Sequence, residues 1–302
     1  IYLMRAVVDG RIELSDRVQR HLDLCLDCRS CETACPSGVQ YGRLIEPFRA
    51  EVHTGAGRPS AEQSAAHSTD WFHRWILFPL FPYPDRLRRA LLPARLAQRL
   101  RVDRALEATG LIRLLPQQLQ QMIRMLPPPV AVEGPLPGFF PAKGDRRATV
   151  ALFTGCVGDA MFRHTNWATA RVLQQNGCDV HVPRGQACCG AIHFHAGAGE
   201  PAREFAAQNL QAFPVDKFDA VINNVAGCGS MLKDYGHHWH DDKQSARTGF
   251  AAKVRDVNEF LDDLGLVPPP GEIRLAATYH DACHLAHAQG VRDAPRRLLG
   301  QI

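Results

Sequence analysis

Four cysteines crowd into eleven residues, Cys25-Leu26-Asp27-Cys28-Arg29-Ser30-Cys31-Glu32-Thr33-Ala34-Cys35, and Pro36 follows directly. This is C-x2-C-x2-C-x3-C-P, the bacterial ferredoxin spacing. Three thiolates three residues apart on a turning loop can wrap one face of an iron–sulfur cubane. Pro36 turns the chain out of that wrap and sets the fourth thiolate apart. Four thiolates also suit zinc, although structural zinc sites usually pair two separated C-x2-C knuckles. In two-cluster ferredoxins the fourth cysteine serves the other cluster. No second C-x2-C-x2-C occurs in the 302 residues. Either Cys25, Cys28, Cys31 and Cys35 act together, or a segment ahead of Ile1 supplies the missing ligand.

The other six of the ten cysteines lie beyond residue 155. A disulfide scaffold would be short and loop-rich; this chain is neither, so its cysteines read as metal or redox chemistry in a reducing, cytoplasmic compartment. Hydrophobic residues at 45% and charged residues at 22% exclude wholesale disorder. A net charge of +4 is too mild to argue for nucleic acid. The longest apolar run, Trp71 to Phe81, is broken by His73, Arg74 and Pro79, so no transmembrane helix is expected. The N-terminus shows neither an initiator Met nor a signal-peptide core. Arg296-Arg297-Leu298-Leu299-Gly300 reads as a helix cut short, so truncation at both ends is expected.

Three regions follow from the pattern. Residues 1–52 form a first unit in which Ser15 can cap a helix carrying Val18 and Leu22 into Cys25, with Leu14 as a staple. Residues 53–145 form a connector. Its first part, about 53–68, has linker composition. Residues 71–126 are helical in pattern, with seven arginines against one aspartate between Arg86 and Arg104, interleaved with Leu87, Leu91, Leu92, Leu96 and Leu100. A proline-rich stretch, Pro127-Pro128-Pro129 to Pro141, closes it. Residues 146–302 alternate strands and helices. Strands are expected at Thr149–Phe153, Asp179–Val182, Asp219–Asn223 and Ile273–Tyr279, with helices near His164–Gln175, Pro201–Ala212 and Ala252–Leu264. That alternation means a parallel sheet. A faint repeat links Phe153-Thr-Gly-Cys156 to Tyr279-His-Asp-Ala-Cys283, the second copy running off the end.

Within this third region Gly155-Cys156, Cys188-Cys189-Gly190 and Gly227-Cys228-Gly229 each fall at a strand end. All can converge on the carboxyl edge of one sheet, the ligand crevice of open α/β folds. Flanking glycines let backbone approach a bulky inorganic group. Adjacent cysteines do not pair readily, and packing as small hydrophobes suits one cysteine better than four. Cys156, Cys188, Cys189 and Cys228 are therefore a candidate cluster or zinc site. Cys178 reads as core.

At this point the chain resembles a known family. The run Cys25-Leu-Asp-Cys-Arg-Ser-Cys-Glu-Thr-Ala-Cys-Pro-Ser-Gly-Val-Gln-Tyr-Gly42 resembles the second ferredoxin motif of glycolate oxidase iron–sulfur subunits. Cys188-Cys-Gly-Ala-Ile-His-Phe-His195, Ala226-Gly-Cys-Gly-Ser-Met-Leu-Lys-Asp-Tyr-Gly236 and Thr165–Leu173 resemble its cysteine-rich "CCG" domain. The likeness leaves out about 53–145. Related domains occur in lactate-utilisation proteins, anaerobic glycerol-3-phosphate dehydrogenase and heterodisulfide reductase. The resemblance implies an α+β chain: a small helical ferredoxin-type [4Fe-4S] domain, then an α/β CCG domain with a parallel sheet. It also implies a non-catalytic electron-transfer subunit. A flavin-containing partner would oxidise a 2-hydroxy acid, glycolate by best resemblance, and electrons would pass towards a quinone-side acceptor. Cys25, Cys28 and Cys31 would ligate a [4Fe-4S] cluster and Cys35 a neighbouring one. Three departures stand out: the family's first ferredoxin motif and second CCG are absent, and Met231 stands where some relatives carry a second cysteine after Cys228.

Weaker signals remain. His280, Cys283, His284 and His287 would share one helical face, a set that could bind zinc. His193 and His195 flank the cysteine pair and could hydrogen-bond a cluster or carry a proton, or be satisfied loop residues. His237, His238 and His240 read as a solvated turn. The arginine helices could meet anionic headgroups or an acidic partner, making the chain peripheral on the cytoplasmic face of the inner membrane, or present a solvated basic face over a leucine core. No P-loop, dinucleotide fingerprint, G-x-S-x-G or H-E-x-x-H is present. A zinc-stabilised scaffold is the competing reading.

Overall fold

The computed structural model describes residues 1–53, 72–115, 117–128, 130, 134–271 and 273–302. The expected linker residues Thr54, Gly55, Gly57, Pro59, Ser60, Ser64, Ala65, Ala66 and Ser68, together with Trp71 and Pro129, lie outside them. No helix among the described residues is long and apolar enough to cross a membrane.

The N-terminal unit packs the helices Tyr2–Val8, Asp16–Asp23, Ser30–Ala34 and Gly42–His53. Ser15 caps the second, its hydroxyl accepting from the Val18 amide. The apolar faces of these short helices meet in a small core of Met4, Leu22 and Ile45, with Val18, Tyr41 and Phe48 against it.

The C-terminal half is an α/β unit on a five-stranded sheet: β1 (Phe139–Phe140), β2 (Ala148–Phe153), β3 (Cys178–His181), β4 (Ala220–Asn223) and β5 (Val254–Asp256), in the order β1-β3-β2-β4-β5. β3, β2, β4 and β5 run parallel; β1 is an antiparallel edge that the sequence did not suggest. The unbroken apolar runs of β2 and β4 match strands covered on both faces. Ala151, Phe153 and Val221 face one core with Phe213, Tyr235 and Phe250. Val150, Leu152 and Ile222 face the other with Leu173, Val180, Leu261 and the fully buried Cys178.

Three expectations are corrected. Ile273–Tyr279 is not a strand. Its apolar side chains Ile273 and Leu275 are exposed, and among the described residues it pairs with no strand. The helix expected over Ala252–Leu264 is interrupted, because Val254 and Asp256 turn inward and pair with β4, and Asp256 then caps a new helix, Val257–Leu264, through a capping box. In the connector Leu87 and Ile112 are buried, but Leu92, Leu96 and Leu100 are exposed rather than forming a core. The connector is fastened to the sheet domain by Arg88, whose guanidinium lies 2.6 Å from the Asp159 carboxylate, and by Arg95, which donates to the Ala160 carbonyl at 2.7 Å.

Candidate metal centres

The N-terminal cysteine loop is built inside out. Cys31 is exposed and Cys25, Cys28 and Cys35 are partly exposed, whereas the charged residues between them turn inward: Asp27 is 2% exposed and Arg29 6%. Both adopt left-handed backbone, with φ of 51° and 57°, an uncommon choice for residues carrying a Cβ. Such strain concentrates at functional loops. Cys25, Cys28 and Cys31 lie close enough that burial, Glu32 and then the other two sulfurs push the Cys31 thiol up. The Asp27 amide donates to the Cys25 sulfur at 3.4 Å. The backbone amides of Val39 and Ser37, ahead of that of Gly38, hold the Cys35 thiol below the usual range.

The second cysteine set assembles where the strand order placed it. Cys156 opens the helix Cys156–Met161 after β2, Cys188 and Cys189 precede the helix Ala191–His195, and Cys228 sits on the helix Ala226–Lys233 after β4. The Cys156 and Cys188 sulfurs are 3.4 Å apart, as are those of Cys189 and Cys228. These are contacts between free thiols, far longer than a disulfide. The hydrogen bond between Cys156 and Cys188, then burial, holds the Cys156 thiol well above its ordinary range. A buried thiolate here needs a cation beside it, so the donor set fits a thiolate-bound metal or cluster.

Polar residues fix the loop behind it. Asn209, fully buried, accepts from the Ala187 amide at 2.8 Å and donates to the Cys188 carbonyl at 3.0 Å and to the Tyr235 hydroxyl at 3.1 Å. Tyr235 in turn donates to the Cys189 carbonyl at 2.8 Å. Gly190 takes φ +91°, and a Cβ there would stand 3.1 Å from the Ala202 carbonyl oxygen. The Gly190 amide donates to the Cys188 sulfur at 3.4 Å.

Between the two cysteine sets lies a buried charged junction that sequence reasoning missed. Arg29 reaches Asp234 at 2.5 Å and Glu46 at 3.4 Å, and Arg43 adds a contact to Asp234 at 3.5 Å. Arg29 and Asp234 are 205 residues apart and each looks like an ordinary loop polar residue, so only the fold pairs them. Burial pushes both the Asp27 and Glu46 carboxyls up, Glu46 to about 7.

The flanking histidines separate by role. His193 is buried, stacked on Phe78 at 4.2 Å and edge-on to Phe205, and burial lowers it to about 4. His195 points away from it, its Nδ1 2.8 Å from Glu46. His237 and His240 are exposed, but His237 and His238 close the short helix Tyr235–His238 rather than a turn, and His238 is half-buried against Phe194, where burial lowers it to about 3. His280, Cys283, His284 and His287 do not gather into one site. Cys283 is exposed, His287 meets Thr33 at 2.9 Å, and His284 turns towards Asp27 and His195.

Comparison with known proteins identifies the family. A family model described as "Cysteine-rich domain" matches residues 150–233. A second, "Glycolate oxidase iron-sulfur subunit, linker region", matches residues 69–126. The likeness therefore runs through the connector, which the motif-based resemblance left out. The "Probable glycolate oxidase iron-sulfur subunit" of Bacillus subtilis is 39% identical over 308 residues, covering 100% of this chain and 68% of the relative. The "Glycolate oxidase iron-sulfur subunit" of Escherichia coli is 32% identical over 311 residues, covering 99% and 67%. A fumarate reductase (CoM/CoB) subunit of Methanothermobacter marburgensis is 28% identical over 295 residues, covering 92% and 55%. No solved structure matches the chain. Two relatives above 30% identity, each spanned for about two thirds of its length, together with the linker match, place this chain in the glycolate oxidase iron–sulfur subunit family.

Proposed function

We propose that the chain is the electron-transfer subunit of a flavin-dependent 2-hydroxy-acid dehydrogenase, glycolate by the names of its relatives. It takes electrons from a flavin-containing partner and passes them towards a quinone-side acceptor. The observation that carries this is the inside-out loop, in which Cys25, Cys28 and Cys31 are presented outward while Asp27 and Arg29 fill the protein side. These three cysteines hold a [4Fe-4S] cluster, and Cys35, whose thiol the neighbouring amides hold low, serves a neighbouring one. Cys156, Cys188, Cys189 and Cys228 hold a second thiolate-bound centre. A bound cluster would take up and release single electrons at a potential set by burial and by hydrogen bonds to sulfur. The protein supplies such bonds from the Asp27 amide to Cys25 and from the Gly190 amide to Cys188. Residues 1–52 act as a ferredoxin-type domain, 53–145 as a connector and 146–302 as the CCG domain.

The connector supports a peripheral position on an anionic membrane face. Leu92, Leu96 and Leu100 stand exposed among Arg89, Arg99 and Arg101. The test of the reading is iron and zinc per chain on anaerobically purified protein, with visible spectra before and after dithionite. About four irons or more per chain with a brown colour that bleaches is the expected result. Zinc without colour would overturn the relay and leave a zinc-stabilised scaffold.

A further inference from the structure

Asp27, His195 and His284 come from three distant parts of the chain, yet each offers a ligand atom and all these atoms lie within 4.8 Å of one another. The His195 Nδ1 is 3.8 Å from the Asp27 carboxylate and 2.8 Å from Glu46 Oε1, so a second carboxylate joins the group. Beyond those contacts, both Asp27 oxygens, Glu46 Oε1, His195 Nδ1 and His284 Nε2 are buried without a further hydrogen-bond partner among the described residues. These converging groups, on carboxylates that are 2% and 0% exposed, thus have little but one another as partners, an arrangement that a bound cation would relieve.

The charges point to what that is. Asp234 is served by both Arg29 and Arg43. Arg29 reaches Asp27 only at 3.7 Å and Glu46 at 3.4 Å. Arg49, the next cation, spends its guanidinium on the Leu22 and Cys25 carbonyls. Asp27 and Glu46 thus share one edge of a single guanidinium. We infer that Asp27, Glu46, His195 and His284 form a binding site for one divalent cation of the zinc class, separate from both cysteine sets. Imidazole nitrogen with carboxylate oxygen is a zinc or ferrous ligand set. Around an ion with tetrahedral bonds of about 2.0–2.1 Å the ligand atoms stand about 3.3 Å apart, so Glu46 and His195, now at 2.8 Å, would open slightly while the wider pairs close. The His195 side chain, 32% exposed, leaves a route for entry. The ion would clamp the N-terminal loop, the helix Ala191–His195 and the segment His284–Ala288 together.

The test loads anaerobically purified chain with zinc, dialyses it, and reads zinc per chain together with the zinc K-edge absorption, which is blind to iron. One retained zinc with a shell of nitrogen and oxygen at about 2.0–2.1 Å and no sulfur is expected. His284→Gln and His195→Gln, made separately, should each weaken zinc binding at least tenfold while leaving the visible spectrum of any cluster intact. No retained zinc, a sulfur shell at about 2.3 Å, or full zinc in both variants would overturn the site. Should both variants also lose cluster colour, the wild-type edge decides alone. Iron and bleaching test the electron-transfer reading, whereas this edge tests the cation site, so either can fail while the other stands.

Discussion

Removing one oxygen atom, in Tyr235→Phe, tests whether the cysteine pair is held by the buried polar frame behind it. The ring would stay stacked on Phe250, 5.7 Å between centroids, so packing is kept. What is lost is the donor to the Cys189 carbonyl at 2.8 Å and the acceptor for an Asn209 amide hydrogen at 3.1 Å. Tyr235 and Asn209 are fully buried, so water cannot replace either bond. An orphaned buried polar group costs about 1–3 kcal/mol. Two of them, partly relaxed, should cost about 2–4 kcal/mol, a large share of a typical total of about 5–15 kcal/mol. With a urea dependence of about 3 kcal/mol per molar, the midpoint by far-UV circular dichroism should fall by about 1 M with an unchanged slope. Tyr2→Phe, at an exposed tyrosine, is the control and should not move it. Metal bound to the Cys156, Cys188, Cys189 and Cys228 set should also be released faster to a chelator. A midpoint shift below about 0.2 M would refute the claim that the frame holds the loop.

Further outcomes follow from the same geometry. Gly190→Ala sets a Cβ 3.1 Å from the Ala202 carbonyl oxygen at φ +91°, so about 1–3 kcal/mol of backbone strain plus the clash should strip metal from the second cysteine set while iron at Cys25, Cys28 and Cys31 is retained, measured as metal per chain. Arg29→Met leaves Asp234, Glu46 and Asp27 without their shared guanidinium and should cost about 3–5 kcal/mol by urea unfolding. Asp234→Asn in the same chain should recover part of that loss, as a double-mutant cycle would show. His193, lowered by burial from 6.5 to about 4, remains neutral in the folded chain while the unfolded chain takes up a proton. Its contribution is therefore present above pH 6.5 and is lost as pH falls towards 4. Between pH 8 and pH 5.5 the wild type should lose about 1.4 kcal/mol more than His193→Leu, read from paired unfolding curves.

The strands β2, β3 and β4 were legible because an apolar run between turn residues has few other uses, and the cysteines at their ends followed from the parallel order. Less legible was anything decided by a partner distant in sequence. Ile273–Tyr279 has strand composition, but a strand exists only where a neighbour supplies hydrogen bonds. Val254–Asp256 has little strand character beyond one alternation, yet it pairs because β4 is there. Asp27, Arg29 and Glu46 look like solvated charges, and nothing local announces that Asp234, His195 and His284 will bury them. The exposed Leu92, Leu96 and Leu100 show the converse, a helical apolar stripe that the described residues do not cover.

If both cysteine sets hold redox centres, as proposed, the ion pair between Arg29 and Asp234 would have a kinetic consequence. Arg29 follows Cys28 directly, and Asp234 ends the helix that carries Cys228. One short bond thus ties the two cysteine sets as a spacer of fixed length. Electron tunnelling falls off exponentially with separation, so a hinge between the two units would scatter the rate over every thermal excursion. A buried strut would hold that gap steady, and on the proposed relay the pace of transfer would be something the chain specifies through arginine as much as through cysteine.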